Sequence, residues 1–186
     1  MPSDYHKNSL KKAEEEFKKG HLLPAKKFAS NSIKALETVE AFELLAEIEL
    51  QLKNFKEAEK ASKQGLEISN GSMDSILKEV HAISIFYQRD FLKAKEEFEK
   101  LHKSDEIRLY LGTCLFELQE YENALSELRS ISRNFSFKES ADLIAVKCLR
   151  ELGMEKEGNF LIKALKLTEK QLNAKKIEFP HGFIEI

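Results

Sequence analysis

At 186 residues and 21.4 kDa, with 33% charged and 42% hydrophobic residues but only 7 Gly and 3 Pro, the chain reads as helical rather than as a turn-rich sheet protein. A net charge of −2 excludes a global basic field for nucleic acid, and no apolar run approaches the roughly 18 residues of a membrane span. Two cysteines without a disulfide or metal spacing, and a start (MPSDYHKNSLKKAEEE) without an apolar stretch, lead us to expect a reducing compartment, cytoplasmic or nuclear.

Apolar spacing predicts a first helix over 5–19, capped by Ser3 or Asp4, with Leu10, Ala13 and Phe17 inward and Gly20 at its end. Pro24 fits the first turn of a second helix reaching Leu36, with Ala25, Phe28, Ala29, Ile33 and Leu36 inward. Residues 40–52 form a third on Phe42, Leu45, Ala46, Ile48 and Leu52, and 56–68 return through Ala58, Ala61, Gly65 and Leu66. Asn70 and Gly71 end that helix, and Ser72 or Asp74 caps the next, 76–87. Helices over 91–102, 109–118 and 122–131 follow, then 137–152 capped by Ser136. A last helix over 155–172 is expected to bury Phe160, Leu161, Ala164 and Leu165. Cys114 and Cys148 fall mid-helix in apolar register and read as buried thiols.

The second helices carry a small residue early, at Ala25, Ala58, Ala94, Ala124 and Gly158, spaced 33, 36, 30 and 34 apart. Leu22, Phe55, Phe91 and Tyr121 lie three before the first four. The stretch Leu109 to Ser130 adds Leu111-Gly112, Leu115 and Leu128 to Tyr121 and Ala124. On these residues, and on a period near 34, the span 5–172 resembles the tetratricopeptide (TPR) repeat family. The match is strongest in the fourth unit and degenerate in the first and fifth, where Glu155 replaces the aromatic. The resemblance implies an all-α, right-handed α-solenoid of about five antiparallel helix pairs over 1–172, followed by an irregular apolar tail, 173–186.

No Gly-rich phosphate loop, His-Glu-x-x-His or Cys-x-x-Cys is present, so no enzyme, cofactor or metal is expected. His6, His21, His81, His102 and His181 are scattered and read as surface or helix-edge residues, and Glu14–Lys18, Glu15–Lys19 and Glu96–Lys100 as i,i+4 pairs. The resemblance implies instead a concave groove lined by the first helix of each pair. It places Glu40, Glu43, Glu47, Leu50, Glu79, Ile83, Phe86 and Tyr87 there as partner-binding candidates, joined by Phe116, Lys147 and Arg150. Three carboxylates at i, i+3, i+7 beside an apolar floor of Ile83, Phe86 and Phe116 suit a peptide carrying Lys or Arg next to bulky apolar residues. The other reading is that the apolar residues pack between repeats and the glutamates are a solvated face. Leu10, Glu14, Glu79 and Ile83 stand where chaperone-tail-clamping members of the family have a Lys, an Asn and a basic pair, so a carboxylate ligand would be repelled.

The tail, KKIEFPHGFIEI, carries Ile177, Phe179, Phe183, Ile184 and Ile186, while Phe179-Pro180 and His181-Gly182 exclude helix. Either it folds back onto its own last helix pair or groove, or it inserts into a partner's pocket, which makes Phe179, Phe183 and Ile186 further partner-binding candidates. The expected function is a non-catalytic protein–protein interaction scaffold or adaptor for a partner peptide or helix, with no membrane partner and the oligomeric state open. The alternative is a ribosome- or RNA-associated regulatory factor whose tail plugs a functional site. Residues 1–36 carry eight Lys against four acids, and Lys175-Lys176 lead into the aromatic tail, although 37–69 carry four Lys against eight Glu.

Overall fold

The computed structural model describes residues 2–69 and 75–185, divided into two compact units, Met1–Arg89 and Asp90–Ile186. The first holds α1 (Pro2–Lys18), α2 (Leu22–Ala35), α3 (Val39–Gln51), α4 (Phe55–Ile68) and α5 (Ser75–Tyr87). The second holds α6 (Phe91–Phe98), α7 (Asp105–Glu117), α8 (Tyr121–Arg129), α9 (Lys138–Glu151), α10 (Glu155–Leu165) and α11 (Glu169–Leu172), then β1 (Lys176–Phe179) and β2 (Gly182–Glu185). The boundary falls inside the third predicted helix pair.

One local device makes the pairs. Gly20, Lys53, Arg89, Gln119 and Gly153 all adopt left-handed backbone, with φ of 77, 61, 65, 64 and 70°. Each stands five residues before the small residue of the repeat pattern. The turns at Gly20, Lys53, Gln119 and Gly153 close with the same two bonds. Lys53 N–H donates to Leu50 O (3.0 Å) and Asn54 N–H to Glu49 O (2.9 Å), as Gln119 does to Phe116 (2.9 Å) and Glu120 to Leu115 (2.8 Å). This Schellman closure satisfies the last carbonyls of the first helix and reverses the chain directly into the second.

Several predicted ends move for visible reasons. α7 starts at Asp105, four residues early, because the Ser104 hydroxyl accepts the Ile107 N–H (3.2 Å) and Asp105 and Glu106 favour a helix N-terminus. α1 already begins at Pro2, so Ser3 and Asp4 lie within it instead of capping it, and Phe137, not Ser136, precedes α9. The predicted helix 155–172 breaks in two because Lys166 is left-handed, at φ 54°. Asn70, Gly71, Ser72 and Asp74 lie outside the described residues.

In the first unit Ala13, Ala25 and Ala29 are buried with Leu44 and Ile48, the small residues allowing α1, α2 and α3 to approach closely. His6, expected at the surface, is buried, with the Ser32 hydroxyl 2.7 Å from its Nδ1. Lys19 and Lys100 pair with Glu16 (2.8 Å) and Glu97 (2.9 Å), three residues back, in place of the expected i,i+4 partners. In the second unit Gly112 lies at the α7–α8 crossing, where an added Cβ would stand 2.8 Å from Leu128 Cγ; at Gly158 it would meet only Leu149 Cβ, at 3.7 Å. Opposite signs are therefore expected. Gly112→Ala should lower stability by about 1–2 kcal/mol through overpacking, and Gly158→Ala should raise it by about 0.5–1 kcal/mol through helix propensity. Urea unfolding of both variants checks this, and a matching response would show the two crossings to be packed alike.

The tail is ordered, not irregular. β1 and β2 form an antiparallel hairpin around Pro180-His181, pairing Ile177 with Ile184 and Glu178 with Phe183. Cross-strand partners share a face, so Ile177, Phe179 and Ile184 are buried together while Phe183 points away, 61% exposed.

Candidate partner-binding faces

In the first unit, Thr38 caps α3 by accepting the Ala41 N–H (3.3 Å), which sets the helix phase that aligns Glu40, Glu43 and Glu47. Glu40 is exposed; Glu43 and Glu47 are half-buried. Burial, with the neighbouring Glu43 carboxylate adding to it, holds the Glu47 carboxyl above the usual carboxylate range. Glu47 has no hydrogen bond or ion pair among the described residues. Glu49, on another face of α3, is buried yet satisfied: Lys26 Nζ lies 2.8 Å from one oxygen and the Asn54 amide donates to the other (2.8 Å). α5, packed on α3, contributes a half-buried Glu79.

The apolar floor expected beside these carboxylates is not a surface in this unit. Leu50, Ile83 and Phe86 are buried, and Tyr87 is half-buried, stacked on Phe55 with ring centroids 4.5 Å apart. Of the two readings open from sequence, internal packing describes Ile83 and Phe86. The face that remains is acidic.

In the second unit the hairpin lies against the first helices. The Phe179 ring sits 5.5 Å from that of Tyr110 on α7, which stacks in turn on Phe98 at 5.4 Å. The Ser140 hydroxyl of α9 donates to the Glu178 carbonyl (2.7 Å), and His181 Nε2 lies 3.5 Å from Glu106 of α7. Folding back onto its own first-helix side is thus what the tail does. Phe179 is interior, Phe183 presents the one large exposed apolar side chain among the described tail residues, and Ile186 lies outside them.

Phe116 is half-buried against Tyr121 (5.7 Å). Lys147 is half-buried, and burial holds its ammonium below the usual lysine range, against the favourable Glu117 carboxylate and with the exposed Arg150 adding repulsion. Burial pushes the Cys148 thiol up to about 12 and raises that of Cys114 as well, so neither supplies a thiolate nucleophile near neutral pH. Among the described residues no three metal-capable side chains cluster, and no helix is long and apolar enough to cross a membrane.

The opposite side of α9 borders a cavity of about 480 Å³ shared with α8 and α10. The apolar spacing predicts Phe160, Leu161, Ala164 and Leu165 inside, and of these only Leu161 is even half-buried. In the structure Gly158 is the one buried residue of α10; Phe160 is 75% exposed, and Ala164 and Leu165 are also exposed. The apolar spacing of α10 is legible, but among the described residues no later element covers it.

No protein-family model matches the sequence, and no curated protein matches it. Solved structures do match by fold. The MamA protein aligns over 96% of this chain and 100% of its own, at 16% identity and a TM-score of 0.77. YrrB, described as a TPR protein with an unusual peptide-binding site, aligns over 86% of this chain and 91% of its own, at 16% identity and a TM-score of 0.68. PilF of Pseudomonas aeruginosa aligns over 92% and 96%, at 12% identity and a TM-score of 0.52. The chain has the all-α fold of tetratricopeptide-repeat proteins, with a short C-terminal β-hairpin added to it.

Proposed function

We propose that the chain is a non-catalytic interaction scaffold, and that the acidic face of α3 takes a partner segment carrying Lys or Arg beside apolar residues. The reading rests on Glu47. A half-buried carboxylate with neither hydrogen bond nor ion pair among the described residues, next to a second carboxylate, is penalised in its charged form, and an incoming cation relieves that penalty. The fold shared with YrrB, a peptide-binding protein, supports a peptide as the ligand.

The test is titration of the full chain with a short fluorescent peptide of alternating Arg and Leu. Glu43→Gln with Glu47→Gln should weaken binding about tenfold or more. Glu47→Gln alone should raise stability at neutral pH. A carboxyl whose pKa is raised on folding destabilises the fold as pH rises through the carboxylate range, and Gln escapes that loss. Below that range the two proteins should unfold alike. Unchanged affinity in the double variant would remove the acidic face from the reading. Tight binding of an oligoribonucleotide that collapses with added salt would favour the RNA-associated alternative.

A further inference from the structure

α9 has two working faces. Ser140 and Leu143 lie on the side that meets the hairpin, whereas Lys138, Asp142 and Ala145 lie roughly half a turn away and border the cavity toward α8 and α10. The hairpin therefore leaves this second side open. Leu128, Ala145 and Leu161 give the cavity apolar walls, and the largely exposed Phe160 ring stands at its edge. About 480 Å³ is within the size range of a built binding pocket, and here it accommodates one or two large side chains.

Beyond the cavity an apolar strip continues along α10. Phe160, Leu161, Ala164 and Leu165 follow at i, i+1, i+4 and i+5, an apolar strip of more than one helical turn. In stacked helix pairs a following helix covers such a strip. Here the chain turns out of α10 at the left-handed Lys166 and continues to the hairpin on the other side of α9. An elongated strip running into a pocket fits a helix better than a compact small molecule.

Charge sets the occupant's chemistry. Lys138 is tied to Asp142. Arg129 and Lys156, which also line the cavity, have no ionic partner among the described residues, against a single unpaired carboxylate, Glu157. The unpaired groups are therefore net positive. We propose that the α8–α9–α10 cavity is a docking site for an amphipathic helix of a partner protein, with a bulky apolar residue entering the pocket and acidic residues flanking it to meet Arg129 and Lys156. This site is separate from the acidic face of α3 and does not depend on it.

The probe is a stapled helical peptide with one Phe on an otherwise Ala–Leu face, flanked by Glu at i−4 and i+4, titrated into the full chain by fluorescence anisotropy. Two further peptides carry Lys for both Glu, or Ala for the Phe. Binding is expected to fall about tenfold or more with Phe160→Ala, with Arg129→Glu plus Lys156→Glu, and with either altered peptide. Arg129, Lys156 and Phe160 are all exposed, so these variants should fold, and circular dichroism checks that they do. Lys-peptide binding equal to Glu-peptide binding, or unchanged affinity in the Phe160 variant, would overturn the proposal. So would no binding of the Glu peptide at all. Concentration-dependent self-association in sedimentation that disappears with Phe160→Ala would assign the strip to a second copy of this chain and overturn it too.

Discussion

Phe86→Ala is expected to lower the unfolding free energy by about 3–5 kcal/mol, the cost of removing a fully buried aromatic ring and leaving a cavity. Phe86 is 0% exposed, and its ring meets that of Tyr87 edge-on at 5.4 Å. Tyr87 is itself held parallel to Phe55 on α4, so the loss should spread through a three-ring cluster joining α4 and α5. Urea unfolding followed by circular dichroism measures it. If Phe86 instead anchored a ligand, the midpoint would hardly move while partner affinity fell, and that pattern would contradict the packing described for α5.

Phe179→Ala is expected to cost about 3–5 kcal/mol if the hairpin remains docked. Undocking offers a lower-cost escape, because β1 and β2 form a two-stranded sheet bonded to each other, which can release Ile177 and Ile184 together with Phe179. The observable consequence is local. Amide exchange across β1 and β2 should accelerate by orders of magnitude, whereas α7 and α9 retain their protection. Exchange in the hairpin unchanged from wild type would show that the Tyr110–Phe179 stack contributes little to holding the tail.

The helices, their pairing and their period were legible because the signals are local. A turn residue at φ > 0 followed five positions later by a small residue, then an apolar stripe, encodes a helix pair within one stretch of chain. Even so, Lys53, Arg89 and Gln119 hold their turns without being glycine, so only their position relative to Ala58, Ala94 and Ala124 marks them. The hairpin also has a local signal in the sequence. Lys176-Ile177-Glu178-Phe179 alternates polar and apolar with period two, which is the mark of a half-buried strand.

Which apolar residues form the surface was another matter. Phe86, Phe160 and Phe179 look equivalent in sequence: each is an aromatic residue in an apolar pattern. Phe86 is interior because α4 and α5 close around it, and Phe179 because α7 supplies Tyr110 from about seventy residues earlier in the chain. Phe160 is exposed because, among the described residues, the chain leaves α10 at Lys166 for the other side of α9 and does not cover it. By itself the sequence determined the all-α repeat fold, the helix pairs and the absence of a recognisable catalytic motif, since backbone conformation follows from neighbours a few residues away. Only the tertiary structure decided where the tail docks, that Ile83 and Phe86 are interior, and that α10 borders an open pocket. Burial depends on which distant segment arrives to exclude water, and a one-dimensional pattern does not carry that information.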